Sequence, residues 1–139
     1  LGLGKFKRIR EIDFDNRAVV TEPGVTNLAI SQAVAHAGFY YAPDPSSQIA
    51  CSIGGNVAEN SGGVPGVKNG MPTSNIPGGE VVLMGGGGLR IGGKTAETCG
   101  YDLMGIITGS EGLLGVITEI TVRILRKPET ARALMVGFH

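Results

Sequence analysis

Between Pro43 and Gly63 the chain packs prolines, hydroxyl side chains and paired glycines into one run: Pro43-Asp44-Pro45-Ser46-Ser47-Gln48-Ile49-Ala50-Cys51-Ser52-Ile53-Gly54-Gly55-Asn56-Val57-Ala58-Glu59-Asn60-Ser61-Gly62-Gly63. Most of these residues form loops, so the chain turns here and builds little core. Glycine reaches positive φ and lets backbone approach another surface closely, and consecutive N–H groups in such a turn form a concavity that attracts anions. The run therefore reads as an anion cradle. Asn56–Asn60 is compatible with a short helix whose N-terminus faces the Gly54-Gly55 turn and adds its dipole to the cradle. The same glycines serve equally well as plain chain reversals.

The 24 glycines among 139 residues, without a collagen period or a low-complexity repeat, extend this theme of tight turns and close approach to the whole chain. The length suits one domain or part of one. Formal net charge is zero and the pI is about 6.9, so there is no basic field for nucleic acid or anionic lipid. The apolar runs Ile76–Met84 and Leu113–Ile117 are too short and too interrupted by glycine to span a bilayer. Cys51 and Cys99 have neither C-x-x-C spacing nor a nearby histidine, so no zinc site or disulfide framework is indicated and a reducing interior fits.

Alternation over Ile9–Phe14, turn residues Asp15-Asn16 and the β-branched run Ala18–Thr21 predict a hairpin. Thr26 caps a predicted helix running to Ala37, with Leu28, Ala33 and Val34 on its buried face and Gly38 as its stop. Glu80–Met84 and Leu89–Ile91 read as strands joined by the Gly85–Gly88 turn, and Tyr101–Ile107 as a helical turn. Val116–Leu125 alternates strictly enough for a half-buried strand ended by Lys127-Pro128, with Arg123, Arg126 and Lys127 as a solvated edge. Strands and helices mix without a repeating strand–helix unit, which predicts an α+β fold.

Neither G-x-G-x-x-G after a strand nor G-x-x-x-x-G-K-[ST] is present. Ser52–Asn56 and Ser61–Gly63 nevertheless offer hydroxyls and bare backbone at two adjacent turns, which suits a diphosphate. Gly109-Ser110-Glu111-Gly112 leading into Gly115-Val116-Ile117-Thr118 offers backbone against which a flat ring can lie, or a tight turn before a strand.

Taken in order, Pro23-Gly24-Val25, the Pro43–Gly63 run, Gly100-Tyr101-Asp102-Leu103, Gly109–Gly112 and Gly115–Glu119 closely resemble the PCMH-type FAD-binding domain of the vanillyl-alcohol oxidase superfamily. Within it they resemble the group of FAD-linked glycolate oxidases and D-lactate dehydrogenases. The resemblance implies the second subdomain of that domain, a mostly antiparallel sheet flanked by helices, over residues 1–132, with 133–139 opening a cap domain that is absent here. It implies noncovalently bound FAD, contacted through diphosphate and ring by Ser47, Ser52, Ile53, Gly54, Gly55, Asn56 and Val57, with Asn60 and Gly63 nearby. It places Gly112, Gly115 and Ile117 along the adenosine or ring edge, and Pro23, Gly24 and Val25 at the border of the same pocket.

The activity implied for a whole polypeptide is oxidation of a small 2-hydroxy acid of glycolate or D-lactate type, the flavin carrying the chemistry. Further oxidase subunits are implied as partners, in the cytoplasm or held at the inner membrane through them. Relatives carry an earlier Gly-rich loop on the other side of the diphosphate, so this chain alone is expected to be inactive. Pro65-Gly66-Val67-Lys68-Asn69-Gly70 and Gly85–Gly88 depart from the family pattern. The alternative expectation is a truncated remnant serving as a structural or self-associating module, a homo-oligomer. His36 reads as a surface or capping histidine, Cys51 as a small buried thiol, and no residue is assigned a catalytic or metal-binding role.

Overall fold

The computed structural model describes residues 2–43, 51–61, 75–95 and 100–130. Strand β1 (Ile9–Asp13) turns back into β2 (Ala18–Thr21) with Ile12 opposite Val19. The predicted turn residues close this hairpin: the backbone and side-chain nitrogens of Asn16 donate to the two Asp13 carboxylate oxygens at 3.0 and 2.9 Å. Helix α1 (Asn27–Val34) follows, its N-cap Thr26 accepting from Ala29 N–H at 3.1 Å. A 3₁₀ turn (Ala35–Ala37) continues it to Gly38, whose φ of 76° ends it as predicted. The buried face of α1 is Asn27, Ile30 and Val34; Leu28 and Ala33 are only partly covered, a correction of one position along the helix.

Strand β3 (Phe39–Tyr40) precedes α2 (Ile53–Glu59). Strands β4 (Gly78–Val82) and β5 (Gly88–Gly92) form the second hairpin, two residues earlier at its start than the apolar run suggests. The short α3 (Leu103–Ile107) is capped by Asp102, which accepts from Gly105 N–H at 2.9 Å. Strand β6 (Val116–Arg123) and the brief β7 (Leu125–Arg126), paired with β3, complete the described elements.

The main sheet has five strands in the order β1-β2-β6-β4-β5, every neighbouring pair antiparallel. This is the expected α+β architecture, an antiparallel sheet with helices. Strand β6 is its centre and is more than half-buried, with Glu119, Ile120, Thr121 and Val122 all buried, while Arg126 and Lys127 beyond its end are solvated as expected. Its alternation also breaks. Glu80 pairs with Glu119 and Val81 with Ile117, leaving Thr118 as an extra residue. That bulge shifts the parity, so Ile117 joins Ile120 and Val122 in the core although strict alternation assigns them to opposite faces. Val19, Val81, Ile120 and Val122 of the sheet pack with Ile30, Val34, Ile53 and Val57 of the helices, all fully buried. Arg126 lies over the Phe39 ring at 5.7 Å, and exposed His36 stands edge-on to Phe14 at 5.8 Å.

Candidate functional site

Three segments far apart in sequence meet at α2. At its N-terminus, Ile53 N–H donates to Val25 C=O at 2.7 Å and Gly54 N–H to Pro23 C=O at 2.8 Å. At its C-terminus, Gly109 N–H donates to Val57 C=O and Glu111 N–H to Ala58 C=O, each at 2.9 Å. The Gly109–Gly112 loop reaches those carbonyls through left-handed backbone, with φ of 81° at Gly109, 53° at Glu111 and 77° at Gly112. Thr26 and Ser52, the caps of α1 and α2, form an isolated antiparallel bridge beside this junction.

Gly54 and Gly55 lie inside the first turn of α2 and have negative φ, which corrects the expectation of a glycine turn preceding a helix at Asn56. Nor are their N–H groups free. Ile53 and Gly54 donate to the carbonyls above, Gly55 to Ser52 Oγ at 3.3 Å and Asn56 to Ser52 C=O at 3.0 Å. What Gly54 contributes is proximity: a Cβ there would lie 2.5 Å from Pro23 Cβ and 3.0 Å from Pro23 O.

A cavity of about 620 Å³ opens at the junction, lined by Leu3, Gly4, Lys7, Pro23, Gly24, Thr26, Ser52, Gly54, Gly55, Ala58, Gly112, Gly115, Val116 and Ile117. Of the residues singled out from sequence, Pro23, Gly24, Ser52, Gly54, Gly55, Gly112, Gly115 and Ile117 share this wall. Val25, Ile53 and Val57 stand behind it in the core. Asn56 is buried and turned inward, its amide nitrogen donating to Asn27 Oδ1 at 2.9 Å and to Cys51 Sγ at 3.4 Å, while Asn27 donates to Pro43 C=O. Asn60, with φ of 54°, ends α2 and does not line the cavity. Ser47, Gly63 and the Pro65–Gly70 departure lie outside the described residues. Leu3, Gly4, Lys7, Thr26, Ala58 and Val116 were not anticipated. Only Thr26, as a helix cap two residues after Pro23-Gly24, carried a sequence signal.

The wall is nearly bare of side-chain charge, Lys7 being the exception among the described residues. The charges collect instead on the five-stranded sheet. Glu22, 1% exposed, accepts from Arg8 N–H at 3.0 Å and from Arg10 Nη2 at 3.3 Å. Glu119, 6% exposed, is bridged by Arg10 and Arg90 at 2.9 Å each, and Arg90 also reaches Glu80 at 3.5 Å. The Arg8 N–H, then the Arg10 guanidinium, hold the Glu22 carboxyl below its usual range against the opposing effect of burial. Asn16, through its side chain and backbone, and then Lys94 bring Asp13 down to about 2. Among the described residues there is no cluster of three or more His, Cys, Asp and Glu that could hold a metal, and no helix long and apolar enough to cross a membrane.

A sequence model of the family described as FAD binding domain matches residues 1–92. The chain belongs to this family, whose cofactor is FAD. Across 138 residues it is 52% identical to glycolate oxidase subunit GlcD of Escherichia coli (strain K12), a match covering 99% of this chain and 28% of that protein. It is 46% identical to GlcD of Bacillus subtilis (strain 168), covering 92% and 27%, and 34% identical to D-lactate dehydrogenase of Anaerostipes hadrus, covering 99% and 29%. The chain thus spans less than a third of the length of these relatives. A solved alkyldihydroxyacetonephosphate synthase superposes with a TM-score of 0.79 at 23% identity, over 91% of this chain and 22% of that one, which shows the same fold.

Proposed function

We propose that this chain forms one wall of the FAD site of a flavin-dependent 2-hydroxy-acid dehydrogenase or oxidase of the glycolate or D-lactate type. The carrying observation is the cavity at the α2 junction, where the Pro23-Gly24, Ser52–Gly55 and Gly112–Ile117 segments present backbone to one space. Its volume falls within the roughly 300–1,000 Å³ usual for small-molecule and cofactor pockets. The residues fit a flavin nucleotide, with a flat wall of glycine and proline for a ring and hydroxyl and ammonium groups for polar atoms. Bound flavin supplies acceptance of a hydride from the hydroxy acid. Pro23, Gly24, Ser52, Gly54, Gly55, Gly112, Gly115 and Ile117 hold and exclude water from it, while Val25, Ile53, Asn56, Val57 and Asn60 support that wall from behind.

In this reading residues 1–132 are the C-terminal subdomain of the FAD-binding domain, and other oxidase subunits and a small hydroxy acid are the partners of a whole polypeptide. The test is titration of the purified chain with FAD, followed by flavin fluorescence. Saturable quenching is expected, and its absence together with no thermal shift refutes the reading. A second reading, a self-associating module, is favoured by the exposed Leu83, Met84, Leu113 and Leu114. Light scattering that shows a strict monomer would count against it.

A further inference from the structure

The helix-start glycines were the evident candidates for gripping a diphosphate, yet the N–H groups of Ile53, Gly54, Gly55 and Asn56 already have acceptors within the protein. A bound diphosphate needs other donors. The side chains of the cavity lining supply three: the Lys7 ammonium and the Thr26 and Ser52 hydroxyls. Both hydroxyls are helix caps, so each oxygen accepts a backbone N–H, from Ala29 at 3.1 Å and from Gly55 at 3.3 Å. A hydroxyl that accepts in this way still has its proton to give. Neither proton has an acceptor among the described residues, and Lys7 makes no ion pair among them, unlike Arg8 and Arg10 close by in sequence.

Among the described residues no carboxylate lines the cavity beside them. Glu22, next to Pro23, is saturated by Arg8 and Arg10, and neither Glu59 nor Glu111 lines the cavity. The geometry points to Lys7 as the charge partner of the cofactor's diphosphate, with Thr26 and Ser52 as its neutral hydrogen-bond donors. This assignment rests on the flavin reading above, and it moves phosphate recognition from the glycine backbone to side chains on three separate segments. The glycines then serve to bring the walls close enough for those side chains to share one ligand.

The test measures binding of three probes to the purified chain by calorimetry and fluorescence: FAD, ADP, which carries the diphosphate without the ring, and riboflavin, which carries the ring without phosphate. Lys7→Met is expected to weaken FAD and ADP by about 10- to 100-fold, the loss of one charge-assisted hydrogen bond, and to leave riboflavin within about twofold. Lys7→Arg is expected to recover most of it. Thr26→Asp keeps the cap, because aspartate is as good an N-cap as threonine, but replaces a donor by an anion. It should melt like the parent and lose FAD, whereas Thr26→Ser should bind like the parent.

A parent chain that binds FAD while Lys7→Met and Thr26→Asp bind it equally well overturns this assignment and leaves the flavin reading standing. Riboflavin bound as tightly as FAD by the parent overturns it too. A parent chain that binds none of the three probes overturns the flavin reading, and this assignment with it. Should Thr26→Asp fail to fold, Lys7→Met with ADP decides the matter.

Discussion

The cavity wall and the charged ladder on the sheet are built by opposite means. At the cavity the chain leaves side chains out: Gly24, Gly54 and Gly115 are positions where a Cβ would meet Phe6 O, Pro23 Cβ and Val81 Cγ1 at 2.5, 2.5 and 2.6 Å. Along the ladder it uses long side chains that satisfy one another across strands, Arg10 and Arg90 converging on Glu119. The first region is close-packed backbone around an open space with few charges. The second is complete in itself, the buried carboxylates Glu22 and Glu119 each having a guanidinium. Open donors beside a cavity point to a ligand, whereas a closed network of ion pairs points to structure alone.

Four substitutions sharpen or break this contrast. Gly54→Val should have the largest effect, about 3 kcal/mol in urea unfolding with loss of flavin quenching, because its side chain must displace Pro23 at the wall. A stable, flavin-binding variant would show that the close approach is incidental. Glu119→Leu removes the hub of the ladder but leaves Arg10 and Arg90, 42% and 67% exposed, free to reach water. It should cost less than about 1 kcal/mol and leave flavin binding unchanged. Next along α2, Gly55→Ala meets only Ser52 Oγ at 3.3 Å, so the gain in helix propensity of up to about 1 kcal/mol offsets the small contact, and melting should barely move.

The smallest effect concerns acid. Asp13 is held down at about 2 from 3.8, so its contribution is complete above about pH 4 and is lost as pH falls toward 2. Asp13→Asn should flatten the melting temperature across that window and nowhere above it. Glu22, lowered in the same direction, contributes an acid-labile arm of the same sign.

Much of this is readable from local residues. The Asp15-Asn16 turn, the Thr26 cap and the Gly38 stop are decided within a few positions, and the structure keeps all three. The motif segments around Pro23, Ser52 and Gly112 were also legible, because glycine and hydroxyl patterns survive without knowledge of the fold. The misreadings share one cause. The Thr118 bulge, the central place of β6 and the helical state of Gly54-Gly55 are set by partners distant in sequence: Glu80 and Val81 for the first, β2 and β4 for the second, Pro23 and Val25 for the third. Lys7 was missed because a lysine beside Arg8 and Arg10 has no local mark of lining a cavity.

By itself, the sequence determined the α+β class, the local caps and turns and the membership of the FAD-binding family, since these rest on short-range conformational preference and on motif identity. Tertiary structure alone decided which strand is central, which glycines are close contacts, and which polar groups remain open at the cavity. Those depend on which backbone donors are already consumed by distant acceptors, and no stretch of chain carries that information until it is folded against its partners.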